Sequence, residues 1–369
     1  MDDPSMVAGR LKIDLAALVA NWRAMAGRAG GATTAGVVKG DAYGMGIEPA
    51  VSALRAAGCA VFFVALPEEG VRVRAVAPEA AIYVLAGLVG DAGAYVTSGL
   101  RPVLNSLAEI EDWRRARAGG APAGAALHVD TGMNRLGLRL DQLGDAVTAE
   151  PDFAETLGLT LVMSHLACAD TPAHPLNARQ LTTFRAARDL LPGVPASLAN
   201  SAGIFLGPDY CFDLVRPGIA LYGGRPVSGV PNPMRPVATL EARVLQVRDV
   251  PAGETVGYGA AQTVERDSRV AVVGVGYADG YHRLAGSADG HPGASGFLHG
   301  RPVPLIGRIS MDLMAFDVTD VPEASRGDWI ELFGNHVAVD DVAERAETIG
   351  YELLTGLGRR YGRTYLDGN

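Results

Sequence analysis

Up to residue 225 the sequence repeats one rhythm: a short apolar run, a polar or glycine turn, then a segment of helical length. Strands are expected at 35–39, 61–65, 82–86, 102–105, 125–130, 159–164, 196–200 and 212–216. Helices such as 47–57, 67–76, 107–118 and 175–191 fall between them. Pro67 and Pro175 suit first-turn helix positions, where a missing N–H is no loss. Alternating strands and helices pair their strands in parallel. Roughly eight such units within about 200 residues fit an α/β fold of the (β/α)8 TIM-type barrel better than an open doubly wound sheet. The rhythm stops in the Pro/Gly-rich segment 227–236, which reads as a linker. Beyond it, β-type runs at 239–250, 269–277, 296–304 and 315–318 predict a mainly β second domain. A helical segment at 339–357, with Asp340 as its N-cap, closes the chain. The domains are accordingly placed at 1–228 and 229–369, with the first residues able to pair with the C-terminal domain.

The hydrophobic fraction of 48% and charged fraction of 20% are those of a globular chain. A net charge of -9, with no basic tract, disfavours nucleic acid and anionic membranes as partners. No window reaches the apolar length of a membrane span, and residues 1–5 lack the basic and apolar regions of a secretory signal. Cys59, Cys168 and Cys211 are odd in number and widely spaced, as befits reduced thiols of a cytoplasmic protein. No HExxH or CxxC pattern provides for a metal.

Of the 32 basic residues only Lys12 and Lys39 are lysines. Lys39 ends the first apolar run, and a primary amine can do what a guanidinium does not: condense with an aldehyde. The other reactive side chains fall at the ends of later strands. Asp130 and Arg135 follow the fifth, His165 the sixth, Asn200 and Ser201 the seventh, and Arg216 the eighth. Barrel enzymes build their active sites on that C-terminal rim. Singly, each has a structural alternative: His165 as a satisfied core histidine, Arg216 as an ion-pair partner, Ser201 as an N-cap. Gathering on one rim favours function. Residues 200–203 open a helix after strand seven, and Pro217, Gly218 and Ile219 follow strand eight. Helix N–H groups, a hydroxyl and a flexible glycine suit a phosphate group, and barrels often bind phosphate at those two loops. A lysine that traps aldehydes beside a phosphate cradle points to pyridoxal 5′-phosphate (PLP). Residues 274–280 have one residue too many for a dinucleotide fingerprint, and no Walker A sequence occurs.

The blocks 37–46 (VVKGDAYGMG), 128–137 (HVDTGMNRLG), 164–167 (SHLA), 199–201 (ANS) and 215–219 (VRPGI) together resemble the bacterial alanine racemases. So do 256–259 (VGYG), 276–281 (GYADGY), 307–312 (GRISMD) and 363–365 (RTY), in the same order over nearly the whole chain. The resemblance implies a PLP barrel followed by a β domain in a head-to-tail homodimer, racemising L- and D-alanine to supply D-alanine for peptidoglycan. It implies that Lys39 holds PLP and acts as one base, with Tyr258 of the second subunit as the other. It implies phosphate binding by Tyr43, Ser201, Gly218, Ile219 and Tyr365, with Asn200 beside them. Arg216 would face the pyridine nitrogen, and His165 would hydrogen-bond at the site. Arg135 would contact the cofactor's phenolic oxygen and the substrate carboxylate, the Met311 backbone would orient substrate, and Tyr277 would narrow the entrance.

Two positions depart from the family pattern. Many members carry a carbamylated lysine where His128 stands, and with Lys39 engaged and Lys12 upstream no carbamate can form here. Another anion such as chloride, or His128 itself, is expected to fill that place beside Arg135. Ser197 stands where a histidine is common, so support of Arg216 is expected to differ. The rival readings are a racemase preferring serine or another small amino acid, a decarboxylase of basic amino acids, and a non-catalytic PLP carrier. Arg216 speaks against the decarboxylase, which needs a carboxylate at the pyridine nitrogen, and Tyr258 against the carrier.

Overall fold

The structure, a computed structural model, describes residues 6–118 and 124–366. The described chain divides into two compact units, residues 18–221 with 225–234, and residues 6–17 and 222–224 with 235–366. The reading of residues 1–5 as lacking a signal lies outside the described residues. Among the described residues no helix is long and apolar enough to cross a membrane.

The first unit is a barrel of parallel strands. Seven pair in chain order: Gly36–Val37, Val61–Val64, Ala81–Val84, Arg101–Leu104, Ala125–His128, Leu159–Met163 and Ala196–Ser197. The eighth, Leu214–Val215, pairs in parallel with Thr33–Thr34. The N–H of Asp213 donates to Ala196 O and that of Arg216 to Ala199 O, so this strand also bonds to the seventh and closes the ring. The strands are buried on both sides, with Phe62, Phe63, Ile82, Val103, Leu127 and Val162 inaccessible, which explains their nearly unbroken apolar sequences. Each such large side chain contributes about 1.5–3 kcal/mol on burial. The helices Pro67–Val76 and Leu107–Ala118 have the predicted bounds, and Ile47–Ala56 and Pro175–Asp189 end one or two residues early.

Several expectations are corrected. The first strand stops at Val37, and Lys39 belongs to the turn that follows rather than to the strand. The seventh and eighth strands shrink to two residues each, because the chain leaves the ladder to form the rim. The segment after strand seven is a short 3-10 turn, Gly203–Leu206, in place of an α-helix.

The second unit is mainly β. The long strand Ala238–Val250 buries alternate residues as far as Val244 and pairs with Gly9–Asp14, Trp329–Phe333 and Ser268–Val273, the last carrying Met314–Asp317 at its other edge. Trp329–Phe333 and Gly362–Leu366 were not anticipated as strands. Gly9–Asp14 buries Leu11 and Ile13 while Arg10 and Lys12 both pair with Glu241. The run at 296–304 is a hairpin, Ser295–Leu298 with Arg301–Pro304, because His299 and Gly300 take positive φ at its two-residue turn. The run at 269–277 ends at Val273, and Tyr277 begins a 3-10 turn. The closing helix is two helices, Val339–Arg345 and Gly350–Thr355, broken at Glu347 with φ 54°. Its N-cap is Ala338, with Asp340 inside the first turn.

Candidate active site

Lys39 is followed by five consecutive residues in the left-handed region: Gly40 at φ 63°, Asp41 at 53°, Ala42 at 54°, Tyr43 at 54° and Gly44 at 82°. Left-handed helix costs a residue with a Cβ about 1–2 kcal/mol, so this turn persists only because its surroundings hold it. The N–H of Ala42 donates to Val38 O, that of Gly44 to Gly40 O, and that of Ile47 to Asp41 Oδ1. The result reverses the chain at the end of strand one and leaves the half-buried Lys39 amine on the rim. Burial lowers its affinity for a proton, and the guanidinium of Arg135 lowers it further; Glu69 opposes both, and Arg216 adds to the lowering.

Tyr43, at the end of that turn, meets the loops after strands seven and eight. A Cβ on Gly218 would overlap the Tyr43 hydroxyl oxygen, so glycine is required for the two to lie this close. Ser201 Oγ accepts from the N–H of Gly218 at 2.8 Å and of Ala220 at 3.3 Å, leaving its own O–H to donate. Asn200 Oδ1 accepts from the Gly203 N–H at 2.9 Å, and Ile219 opens the next 3-10 turn. Tyr43 and Ser201 thus bring two hydroxyls together beside the bare backbone of Gly218, a grouping whose chemistry suits the phosphate of PLP.

Arg216 lies against the strand-seven side of the rim, almost wholly buried and, among the described residues, bonded to carbonyl and hydroxyl oxygens rather than to a carboxylate. Its Nη1 donates to Ser197 O at 2.9 Å and Ser197 Oγ at 2.5 Å, and its Nη2 to Ser164 O at 2.5 Å. Ser197 Oγ donates in turn to Leu214 O at 2.6 Å. All of these bonds are made by the Nη atoms. Burial pushes the guanidinium down to about 9, which still leaves it charged at neutral pH.

Arg135 is carried by a loop that Asp130 shapes. One Asp130 oxygen accepts from the N–H groups of Gly132, Met133 and Asn134, each at 3.0 Å, and Asn134 takes φ 56°. The loop returns to pair Leu138 with Val129, with Arg135 exposed near its tip. His128, just before it, is buried, and its Nδ1 lies 2.8 Å from Asn105 Oδ1. Asn105 Nδ2 donates to Val103 O at 2.8 Å and Leu85 O at 3.3 Å, which fixes the amide with its oxygen towards His128. Nδ1 therefore carries the proton and Nε2 presents a lone pair. Burial, then Arg216 and Arg135, push the imidazole down to about 4, so it is neutral at physiological pH. His165 is pushed well down by burial and by Arg216, Lys39, Arg135 and His128 in that order, which places these five side chains in one electrostatic neighbourhood.

The remaining candidates belong to the second unit. Tyr258 stands 69% exposed on a 3-10 turn between the strands Thr255–Val256 and Gln262–Thr263. Tyr277 and Met311 are brought together: the Tyr277 N–H donates to Ser310 O at 3.1 Å and that of Ala278 to Met311 O at 2.9 Å. Arg360 fastens the pair of loops, bonding Asp279 at 2.6 and 2.8 Å and Asp312 at 2.8 Å. A cavity of about 260 Å³ lined by Val256, Gly257, Arg308, Ser310 and Leu313 joins the base of the Tyr258 turn to the Met311 loop. Tyr365 lies opposite Ile13 on the edge strand Gly362–Leu366. Asn105, Glu69 and Arg360 were missed as supports. Only Glu69 left a local signal, as an acidic residue two places after Pro67.

A lysine on the rim of an α/β barrel, two hydroxyls gathered at a glycine and a buried arginine, with a mainly β unit in the same chain, define a barrel enzyme of the PLP-dependent class. Residues 13–226 match the model of the alanine racemase N-terminal domain and residues 237–365 that of the C-terminal domain. The chain is 51% identical to the alanine racemase of Rhizobium meliloti, over the full length of both. It is 52% identical to the biosynthetic alanine racemase of Agrobacterium fabrum, over 97% of this chain and 93% of that one. The crystal structure of the Bartonella henselae alanine racemase with covalently bound pyridoxal phosphate superposes with a TM-score of 0.90 at 39% identity, covering 97% of this chain and 99% of that one. The chain belongs to the alanine racemase family.

Proposed function

We propose that this chain is a PLP-dependent isomerase that interconverts L- and D-alanine, using Lys39 and Tyr258 as its two bases. The observation that carries this reading is the rim itself. Lys39 shares it with the cradle of Tyr43, Ser201 and Gly218 and with the buried Arg216. PLP, when bound, supplies an aldehyde for amine attachment and an electron-withdrawing ring that acidifies the Cα–H of an attached amino acid. Lys39 holds the cofactor through its Nζ and, once released by substrate, takes or returns the Cα proton on one face. Tyr258 does the same on the other face through its hydroxyl, in a homodimer whose second subunit supplies it. Its exposure within its own unit supports such a role.

Arg216 is assigned to the pyridine nitrogen. A cation there keeps that nitrogen unprotonated and moderates electron withdrawal, so the proton returns to Cα. Ser201, Tyr43, Gly218, Ile219 and Tyr365 are assigned to phosphate, with Asn200 capping the turn beside them. Arg135 is assigned to the phenolic oxygen and the substrate carboxylate, and the neutral His128, with its lone pair on Nε2, to the support of that guanidinium in place of a carbamate. Tyr277 and the Met311 backbone bound the space for the substrate side chain, and His165 assists Tyr258. A cytoplasmic location and supply of D-alanine for peptidoglycan complete the proposal.

The test is direct. Purified protein supplied with PLP and L-alanine should yield D-alanine, and Tyr258→Phe should lose about 10²–10⁴-fold in rate, the usual worth of a positioned acid–base group. A wild type that makes no D-alanine removes the reading. Parallel kinetics with L-serine measure how tightly Tyr277 and Met311 restrict the side chain.

A further inference from the structure

Glu69 lies in the first turn of the helix Pro67–Val76, half-buried, beside the rim. Its Oε2 accepts from the N–H groups of Ala65 at 2.8 Å and Leu66 at 3.3 Å, the ordinary work of an acidic residue at a helix start. Its Oε1 does something that this role does not require. It accepts from the N–H of Gly40 at 2.7 Å and of Asp41 at 3.3 Å, the two residues that follow Lys39. In the left-handed turn these donors point away from the strand ladder, and the carboxylate reaches across from the neighbouring strand–helix junction to take them. One side chain thereby joins the end of strand two to the strained peptide that carries the lysine.

The charges facing Lys39 are otherwise cationic. Arg135 approaches from the loop after strand five and Arg216 from the end of strand eight, with the neutral His165 after strand six; Glu69 is the anion among the groups that act on the amine. We propose that Glu69 is a positioning residue for Lys39: its carboxylate locks the left-handed turn on which the amine is mounted and offsets the cationic wall across the rim. The inference rests on the reading of Lys39 as the PLP-binding lysine. It adds that the amine's geometry and basicity are set by a residue of the next βα unit. A stronger base at Nζ favours proton capture from Cα, and a fixed Cα keeps Nζ within reach of the cofactor's aldehyde carbon.

The scarcity of lysine makes the test clean. Reductive ¹³C-dimethylation of the full-length PLP-free chain labels Lys39, Lys12 and the N-terminus, and the two lysine signals can be assigned by Lys12→Arg. In Glu69→Gln the Lys39 signal should titrate lower by on the order of one pH unit, while that of Lys12 stays put. Capture of PLP, followed by visible absorbance, should slow about tenfold, as expected for a charge-assisted contact replaced by a neutral one. Glu69→Gln keeps one acceptor oxygen, enough for one of the two junctions, and so retains more of the local structure than Glu69→Ala; Glu69→Asp, too short to reach both junctions, should fall with Glu69→Gln. Identical Lys39 titration and capture rates in wild type and Glu69→Gln overturn the proposal. Borohydride reduction of wild-type protein with PLP separates this failure from the other: a label on Lys39 keeps the functional reading, and a label elsewhere removes both.

Discussion

At the residue scale the site holds two histidines short of protons beside cationic arginines. His128 is the clearest case, since burial and the facing arginines hold it at about 4. The unfolded chain binds a proton there below about 6.5, which the folded protein refuses until about 4. This contribution to stability is therefore complete above the unfolded value and is lost as pH falls between the two. By about pH 5 the loss amounts to about 2 kcal/mol. Urea midpoints at about pH 7.5 and about pH 5 should show a smaller drop for His128→Gln than for the wild type. An equal drop would mean that the imidazole is already charged in the native protein. Ser197 gives a second expectation. Ser197→Ala removes the hydroxyl between the Arg216 guanidinium and Leu214 O but leaves the Ser197 carbonyl bond. A loss of about 1.5–3 kcal/mol in denaturant unfolding is expected, because the bond removed is to a buried charge.

At the scale of elements, strand ends make the site, and this was the part most legible in the sequence. Apolar runs bounded by turns locate the strands to within a few residues, so the rim positions of Lys39, His165, Ser201 and Arg216 follow from order alone. The geometry of the turns was not legible. Of the five left-handed residues after Lys39 three are not glycine, and the carboxylate that stabilises them lies 29 residues from Gly40. The His128–Asn105 pair spans 23 residues and two strands, and Gly9–Asp14 finds its partner in Ala238–Val250 at the far end of the sequence. No local window contains both halves of such contacts. Where glycine is a steric necessity the sequence did carry the signal, and Gly218→Ala tests it. The new methyl group would displace the Tyr43 hydroxyl from the cradle. PLP should bind at least about tenfold more weakly, the worth of one hydrogen bond to a charged group. Spectroscopic titration with PLP reads this directly, and unchanged affinity would place the phosphate elsewhere.

At the scale of the whole molecule, the proposed bases stand in different units of the chain, Lys39 in the barrel and Tyr258 in the mainly β unit. Complementation decides whether one chain supplies both. Lys39→Ala and Tyr258→Phe proteins are each expected to be nearly inactive. After subunit exchange, a mixed dimer with shared sites contains one site with both native bases and one with neither. Random mixing in equal amounts should then restore about a quarter of wild-type sites, because half of the dimers are mixed and each has one competent site of two. If both bases came from the same chain, every site in the mixed dimer would lack one of them and no activity would return. The recovered fraction therefore reads the symmetry of the assembly, and its decline on dilution would report the dimer's dissociation through the same assay.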